Sequence, residues 1–150
     1  MENKILQSIF AGVGGVIIML LFMEAMFIAS GYIFNINTTN INAAGILLGI
    51  LSLPVLLTWV INFVAGILFA FTYNYFFKDI LDKLKNDYTE GVIFGIFLFI
   101  ITMAIVYLIN ITIKPVVYPE GTFAVFIVIN LVSHIFFGIT VAKFEDKLSG

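Results

Sequence analysis

The sequence has 150 residues, of which 62% are hydrophobic and only 11% are charged, and its formal net charge at pH 7 is −2. A soluble domain is about half apolar and about a quarter charged, so this composition indicates a protein surrounded by lipid. The chain has no cysteine, which excludes disulfides, thiolate metal centres and thiol nucleophiles. No lysine cluster suggests a nucleic-acid partner, and the length predicts one domain over residues 1–150.

Four apolar segments are long enough to cross a bilayer as helices. About 20 residues span the hydrocarbon core of about 30 Å, and the segments at about 9–33, 55–77, 92–110 and 122–141 satisfy this length. We therefore predict an all-α membrane protein with four transmembrane helices. The first segment is longer than the apolar part of a secretory signal peptide, so we expect it to be a retained helix.

The lysines predict the orientation of these helices. All seven basic residues are lysines, and with four crossings six of them lie on one side and only Lys114 lies on the other. Because cytoplasmic loops carry the excess of basic residues, both termini are predicted to be in the cytoplasm. We expect the protein in the cell (plasma) membrane as a multi-pass protein, with the lipid bilayer as its first partner.

The segment "NAAGILLGILSLP" (42–54) is apolar but precedes the second span. Pro54 removes an amide donor and disfavours helical geometry at Leu53. We predict a short helix on the outer face that is capped by Asn42 and broken near Pro54. The alternative is one long tilted helix with a kink at Pro54.

Spans two and four share a pattern that suggests an internal repeat. "NFVAGILFAF" (62–71) and "HIFFGITVAK" (134–143) both read [Asn/His]-x-x-x-Gly-Ile-x-x-Ala, and spans one and three both begin with glycines. Two copies of a two-helix hairpin would be related by an axis along the membrane normal.

Small residues at i, i+4 spacing lie in the lysine-rich half of every span and predict close helix packing there. The spacing places both residues on one helix face, where a neighbouring backbone can approach. We therefore expect a bundle that is tight inside and looser outside. The predicted packing pairs are Ala11/Gly15, Gly66/Ala70, Gly91/Gly95 and Gly138/Ala142.

These features resemble an uncharacterised family of small four-helix integral membrane proteins from archaea and bacteria. The resemblance rests on the glycine-rich start of span one with Met19, "NFxxG" in span two, Pro115 after span three and "HxxxG" in span four. It implies a four-helix fold and a topology. Span two of that family often carries histidine where this chain has Asn62, and the family does not require an acid at Glu24.

Four polar residues are predicted to form an intramembrane cluster. A rise of 1.5 Å per residue places Glu24, Asn62 and Asn130 roughly 18–22 Å from the cytoplasmic side, with His134 at roughly 12 Å. An unpaired polar group that faces lipid costs several kcal/mol, so we expect all four side chains to point inward and to satisfy one another. The cluster either specifies how the helices dock or handles protons or cations.

The sequence offers few other residues that could support catalysis or metal binding. His134 is the only histidine, so multi-histidine metal sites within one chain are impossible. We predict no catalytic residues, no metal, no cofactor and no enzymatic activity. We expect an accessory or structural subunit of a larger membrane complex of the respiratory or substrate-oxidising type, in contact with other membrane subunits or with itself. The alternative is a small homo-oligomeric carrier or channel that uses the Glu/His/Asn cluster.

Overall fold

A computed structural model describes residues 2–34, 55–84, 86–112 and 122–149, and the described chain is helical. The main helices are α1 (Glu2–Phe34), α2 (Val55–Thr72), α3 (Asp87–Thr112) and α4 (Thr122–Ser149). Four stretches are long and apolar enough to cross a membrane, namely Lys4–Ile33, Trp59–Leu81, Asp87–Thr112 and Phe123–Lys147. The prediction of an all-helical chain with four helices of spanning length is confirmed. The predicted short helix over 42–54 and its alternative lie outside the described residues.

The helices extend beyond the predicted spans at their charged ends. α4 continues past residue 141 to Ser149, and α3 begins at Asp87 rather than near residue 92. The side-chain oxygen of Asn86 accepts hydrogen bonds from the backbone amides of Tyr88 at 2.9 Å and Thr89 at 3.4 Å. This N-cap satisfies amides that have no partner within the helix, and it fixes the start of α3.

The chain stays helical beyond the end of α2 at Thr72, but its winding changes. Tyr73–Phe77 form a π-helical segment, in which the amide of Lys78 donates to the carbonyl of Tyr73, and a helical turn, Lys78–Leu81, and a 3-10 turn, Asp82–Leu84, follow. The π-helical segment begins with two buried polar residues, Tyr73 and Asn74. Short π-helical insertions of this kind occur frequently at functional sites.

The four helices run antiparallel to their chain neighbours. Hydrogen bonds from Ser8 to Glu145 and from Tyr73 to Glu90 bring together the start of α1, the continuation of α2, the start of α3 and the end of α4. This end, called the lysine end here, carries the five described lysines, Lys4, Lys78, Lys83, Lys143 and Lys147. α4 packs against both α1 and α3, whereas α2 packs mainly against α1.

Glycines allow the closest approaches between helices. A Cβ atom on Gly12 of α1 would lie 2.6 Å from the Cα of Ile67 and 2.8 Å from the carbonyl oxygen of Gly66, both in α2. Gly91 and Gly138 are in the same relation between α3 and α4. Each hairpin therefore packs a glycine of its first helix against a glycine of its second, and in the second hairpin Gly95 adds a further close contact with α4.

Aromatic rings join the π-helical continuation of α2 to α3 at the lysine end. The ring of Phe94 lies 5.0 Å from that of Tyr73 and 5.4 Å from that of Phe77, and Phe77 also lies 4.6 Å from Phe97. Offset and tilted ring pairs at these distances are favourable beyond the area that they bury. Further from the lysine end α2 and α3 separate, and a cavity lies between them.

Candidate functional site

The cavity has a volume of about 250 Å³ and takes its lining from all four helices. It extends from the middle of the bundle toward the end opposite the lysines. Most of its lining is apolar, including Phe69, Phe126 and Phe137. Its polar lining comes from three helices and consists of Asn62, Thr102, Asn130 and His134.

The glycines of α3 position the polar side of this cavity. A Cβ atom on Gly95 would collide with the backbone of His134 and Ile135, so only glycine lets α3 approach α4 this closely. Thr102 follows Gly95 by seven residues, about two helical turns, and therefore lies on the same face of α3. As a result the hydroxyl of Thr102 reaches the imidazole of His134, with 3.1 Å between Oγ1 and Nε2.

Both ring nitrogens of His134 are hydrogen-bonded inside the bundle. Nδ1 lies 2.8 Å from the backbone carbonyl oxygen of Asn130. A carbonyl can only accept, so Nδ1 carries the proton, and in the neutral ring Nε2 then accepts from the hydroxyl of Thr102. The ring is also held by an edge contact with Phe99 at 6.2 Å. These contacts fix the tautomer and orientation of an imidazole that is 7% exposed.

Asn130 is also held in one orientation. Its Nδ2 donates to the carbonyl oxygen of Phe126 at 3.0 Å, one turn earlier in α4. Because that partner is an acceptor, the amide nitrogen must face Phe126 and Oδ1 must point elsewhere. Asn130 lines the cavity although it is only 6% exposed, so the cavity receives a carbonyl oxygen from a largely buried side chain.

The structure brings together three of the four residues predicted as an intramembrane cluster, because Asn62, Asn130 and His134 all line the cavity. Glu24 is half-buried and is not among the lining residues. Within the described part of the chain its carboxylate makes no hydrogen bond, and the ring nitrogens of His134 have other partners. Met23, the residue before Glu24 in α1, lines the cavity. Successive residues of an α-helix are rotated by about 100° around its axis, so the side chain of Glu24 points in a different direction.

The predicted packing residues all lie inside the bundle. Gly15, Gly66, Gly91, Gly95 and Gly138 are buried, and the alanines Ala11, Ala70 and Ala142 are at most 3% exposed. Gly15 faces a ring rather than a backbone, since its Cβ would lie 2.8 Å from Phe137. The α1 residue that meets the backbone of α2 is Gly12, which lies outside the predicted pairs.

A second polar cluster, at the lysine end, was missed by the sequence reasoning. Ser8 donates to Glu145 at 3.3 Å and accepts from Asn74 Nδ2 at 3.1 Å, and all three side chains are buried. Beside it the hydroxyl of Tyr73 donates to Glu90 at 2.8 Å. One signal was available: Asn74 continues the i, i+4 series that starts at Asn62 and runs through Gly66 and Ala70.

The two polar groups differ in what they can do. The lysine-end cluster and the adjacent hydrogen bond from Tyr73 to Glu90 together connect all four helices, which suits a role in holding the bundle together. The cavity instead combines fixed hydrogen-bonding groups with an apolar wall, which suits the binding of a small molecule. In the described part of the chain no group of three or more acidic or histidine side chains could hold a metal ion.

A family model matches residues 2–150, which is nearly the whole chain. The chain belongs to the family of unknown function DUF6789. No curated protein and no solved structure matches the chain. Membership of DUF6789 therefore agrees with the resemblance to an uncharacterised family and assigns no activity, so the function of this DUF6789 protein has to be argued from its own geometry.

Proposed function

We propose that the protein is an accessory, structural subunit of a larger membrane protein complex, of the respiratory or substrate-oxidising type, and that it docks through helix packing. The observation that carries this proposal is the unequal burial of the helices. Half of the most apolar stretch of α4 is buried inside the bundle, but only 17% of the corresponding stretch of α3 is buried. α3 therefore presents a long apolar face to its surroundings, and a helix of another subunit is its proposed partner.

The exposed face of α3 is made of large side chains. Ile96 is 39% exposed, Ile100 60% and Leu108 55%. Association of helices within lipid depends on side-chain packing rather than on the hydrophobic effect, because lipid tails are as apolar as the side chains. A substitution that changes the shape of this face should therefore weaken a complex without destabilising the four-helix bundle.

The test compares two tryptophan variants with the same change in side chain. Ile100→Trp alters the α3 face, and Ile28→Trp alters an equally exposed position on α1, where the side chain is 58% exposed. Native membranes are solubilised gently, and the mass and the stoichiometric companions of the tagged chain are measured. We expect Ile100→Trp to release the chain from its companions and Ile28→Trp to retain them. A wild-type chain that migrates alone or only with its own copies rejects the proposal.

The proposed location is the cell membrane, with both termini in the cytoplasm. Its support is the position of the five described lysines at one end of the bundle, since cytoplasmic ends carry the basic residues. The chain has no cysteine, so single cysteines report their side without interference. An impermeant maleimide applied to intact cells should label Thr112→Cys, at the opposite end, and spare Lys147→Cys. The reverse pattern would reject this orientation.

We also propose that the chain consists of two hairpin repeats. The support is the matching pair of glycine crossings, Gly12 with Gly66 and Gly91 with Gly138. In the sequence "AGV" (11–13) corresponds to "EGV" (90–92), and Gly66 corresponds to Gly138 in the shared pattern of spans two and four.

The cavity favours a second candidate, a small homo-oligomeric carrier or channel. Asn62, Asn130 and His134 would then line the path, and Glu24 would act outside the cavity. In reconstituted vesicles this candidate predicts a flux of ions or small solutes that Asn130→Leu abolishes, and Glu24→Gln tests the acid separately. Flux equal to that of empty vesicles removes the carrier.

A further inference from the structure

We propose that the cavity between α2 and α3 binds a small, uncharged, lipophilic phenol-type molecule, whose hydroxyl donates a hydrogen bond to Asn130. This site is independent of the accessory role, because a single chain supplies all of its groups. The proposal rests on the hydrogen-bonding character of the polar lining, on the size and apolar nature of the remaining wall, and on the gap between two helices.

Two of the four polar lining residues, Asn130 and Thr102, offer hydrogen-bond acceptors. Asn130 is 6% exposed, its Nδ2 is committed to Phe126, and Oδ1 has no hydrogen bond with any residue that the structure describes. That oxygen is also not among the atoms completely enclosed by protein, so the cavity is the space that it faces. An amide oxygen left without a partner in an apolar cavity costs free energy, which a ligand with an O–H donor recovers.

Thr102 adds a second acceptor beside the first. Its hydrogen is directed at Nε2 of His134, because Nδ1 already carries the ring proton. The hydroxyl oxygen keeps lone pairs for another donor. Two acceptors on one side of the cavity select a ligand that donates, and a ketone or an ether of the same shape has no hydrogen to offer.

The rest of the wall sets the size and charge of the ligand. No Asp, Glu or Lys side chain is among the described residues that line the cavity, and both ring nitrogens of His134 are already hydrogen-bonded, so a charged ligand would be left unpaired in apolar surroundings. A cavity of 150 Å³ lined by apolar side chains is known to bind benzene. The cavity here measures about 250 Å³, so it accommodates one ring with short substituents. Three phenylalanine rings, Phe69, Phe126 and Phe137, supply aromatic contacts.

The binding test uses the single histidine of the chain as its probe. The full-length protein carries ¹⁵N-histidine in detergent micelles and is titrated with 4-propylphenol. The matched control compound is 4-propylanisole, which keeps the shape but has no donor. We expect a saturable shift of the His134 ring resonances with the phenol and at least a fivefold weaker effect with the anisole, which corresponds to one lost hydrogen bond.

Three variants decide whether the shift comes from this cavity. Val106→Phe places a ring in the cavity and should abolish the shift, whereas Val128→Phe changes an exposed position of α4 and should retain it. Asn130→Leu removes the acceptor and should weaken phenol binding about fivefold to tenfold. The wild-type comparison of phenol with anisole remains decisive even where a variant does not fold.

Several outcomes overturn the proposal. Equal binding of the phenol and the anisole shows that no donor is recognised. A shift that survives Val106→Phe places the ligand outside the cavity. The absence of any saturable shift in the wild-type protein shows that the cavity does not bind a phenol.

Discussion

Gly95→Ala tests the close approach of α3 and α4 that builds the site. The added Cβ would lie 2.6 Å from the Cα of Ile135 and 2.9 Å from the carbonyl carbon of His134. Carbon atoms contact favourably at about 3.5–4.0 Å, so the two helices have to move apart by about 1 Å. The obstructing atoms belong to the backbone and cannot rotate away. The distance between Thr102 Oγ1 and His134 Nε2 would then grow from 3.1 Å to about 4 Å, which is too long for a hydrogen bond.

Three contributions decide how much Gly95→Ala is expected to change the free energy of unfolding. Overpacking costs about 1–3 kcal/mol, and the lost hydrogen bond costs about 1 kcal/mol. The better helix propensity of alanine returns about 1 kcal/mol. We therefore expect Gly95→Ala to lower the free energy of unfolding by about 1–3 kcal/mol. Reversible unfolding in mixed micelles, followed by far-UV circular dichroism, measures this change.

Gly14→Ala is the matched control. A Cβ on Gly14 would lie 3.5 Å from the ring of Phe144, which is ordinary contact with a side chain. Alanine should therefore be neutral there, or stabilising by up to about 1 kcal/mol through helix propensity. If Gly95→Ala proves as stable as Gly14→Ala, the close contact of α3 with the backbone of α4 is not present in the protein, and the geometry of the site derived from it fails.

Three further substitutions have defined outcomes. Thr102→Val keeps the shape of the side chain but removes the hydroxyl that donates to His134. It should shift the ¹⁵N resonance of His134 Nε2 and lower the free energy of unfolding by about 1 kcal/mol in the same assay. An unchanged spectrum would contradict the hydrogen bond. Ser8→Ala breaks two hydrogen bonds between helices and should cost about 1–3 kcal/mol, whereas Ser30→Ala breaks one local bond within α1 and should cost less; equal losses argue against the lysine-end cluster. Tyr73→Phe and Glu90→Gln should be coupled by about 1–2 kcal/mol in a double-mutant cycle, and additive effects would show that the two side chains do not interact.

Composition and spacing predicted the helices well because both act locally. A run of about 20 apolar residues is informative by itself, whatever it packs against. The ends of the helices were harder to predict, since the charged residues after residue 141 and before residue 92 are as compatible with a helix as with a loop. α3 starts where Asn86 caps it, and α4 continues until Ser149. Caps and interfacial charges allow a helix to continue past the apolar region.

The candidate site was harder to predict, because depth can be counted along a helix while direction around it depends on its neighbours. Glu24 and Asn62 have similar estimated depths, yet only Asn62 lines the cavity. Thr102 was missed for a related reason. Threonines in membrane helices usually bond to the carbonyl one turn earlier, as Thr112 and Thr140 do here. Only the position of α4 shows that the hydroxyl of Thr102 turns to His134 instead.

The location of the cavity follows from where small residues are placed and where they are missing. Glycine crossings hold α1 against α2 and α3 against α4, so each hairpin is tight where its two helices cross. Between α2 and α3 the contacts come from aromatic rings such as Phe77 and Phe94, which act as spacers at the lysine end. Helices joined at one end by bulky rings diverge toward the other end, because no glycine there lets their backbones meet. Within the described residues the bundle therefore opens on the side of Asn130 and His134, away from the lysines.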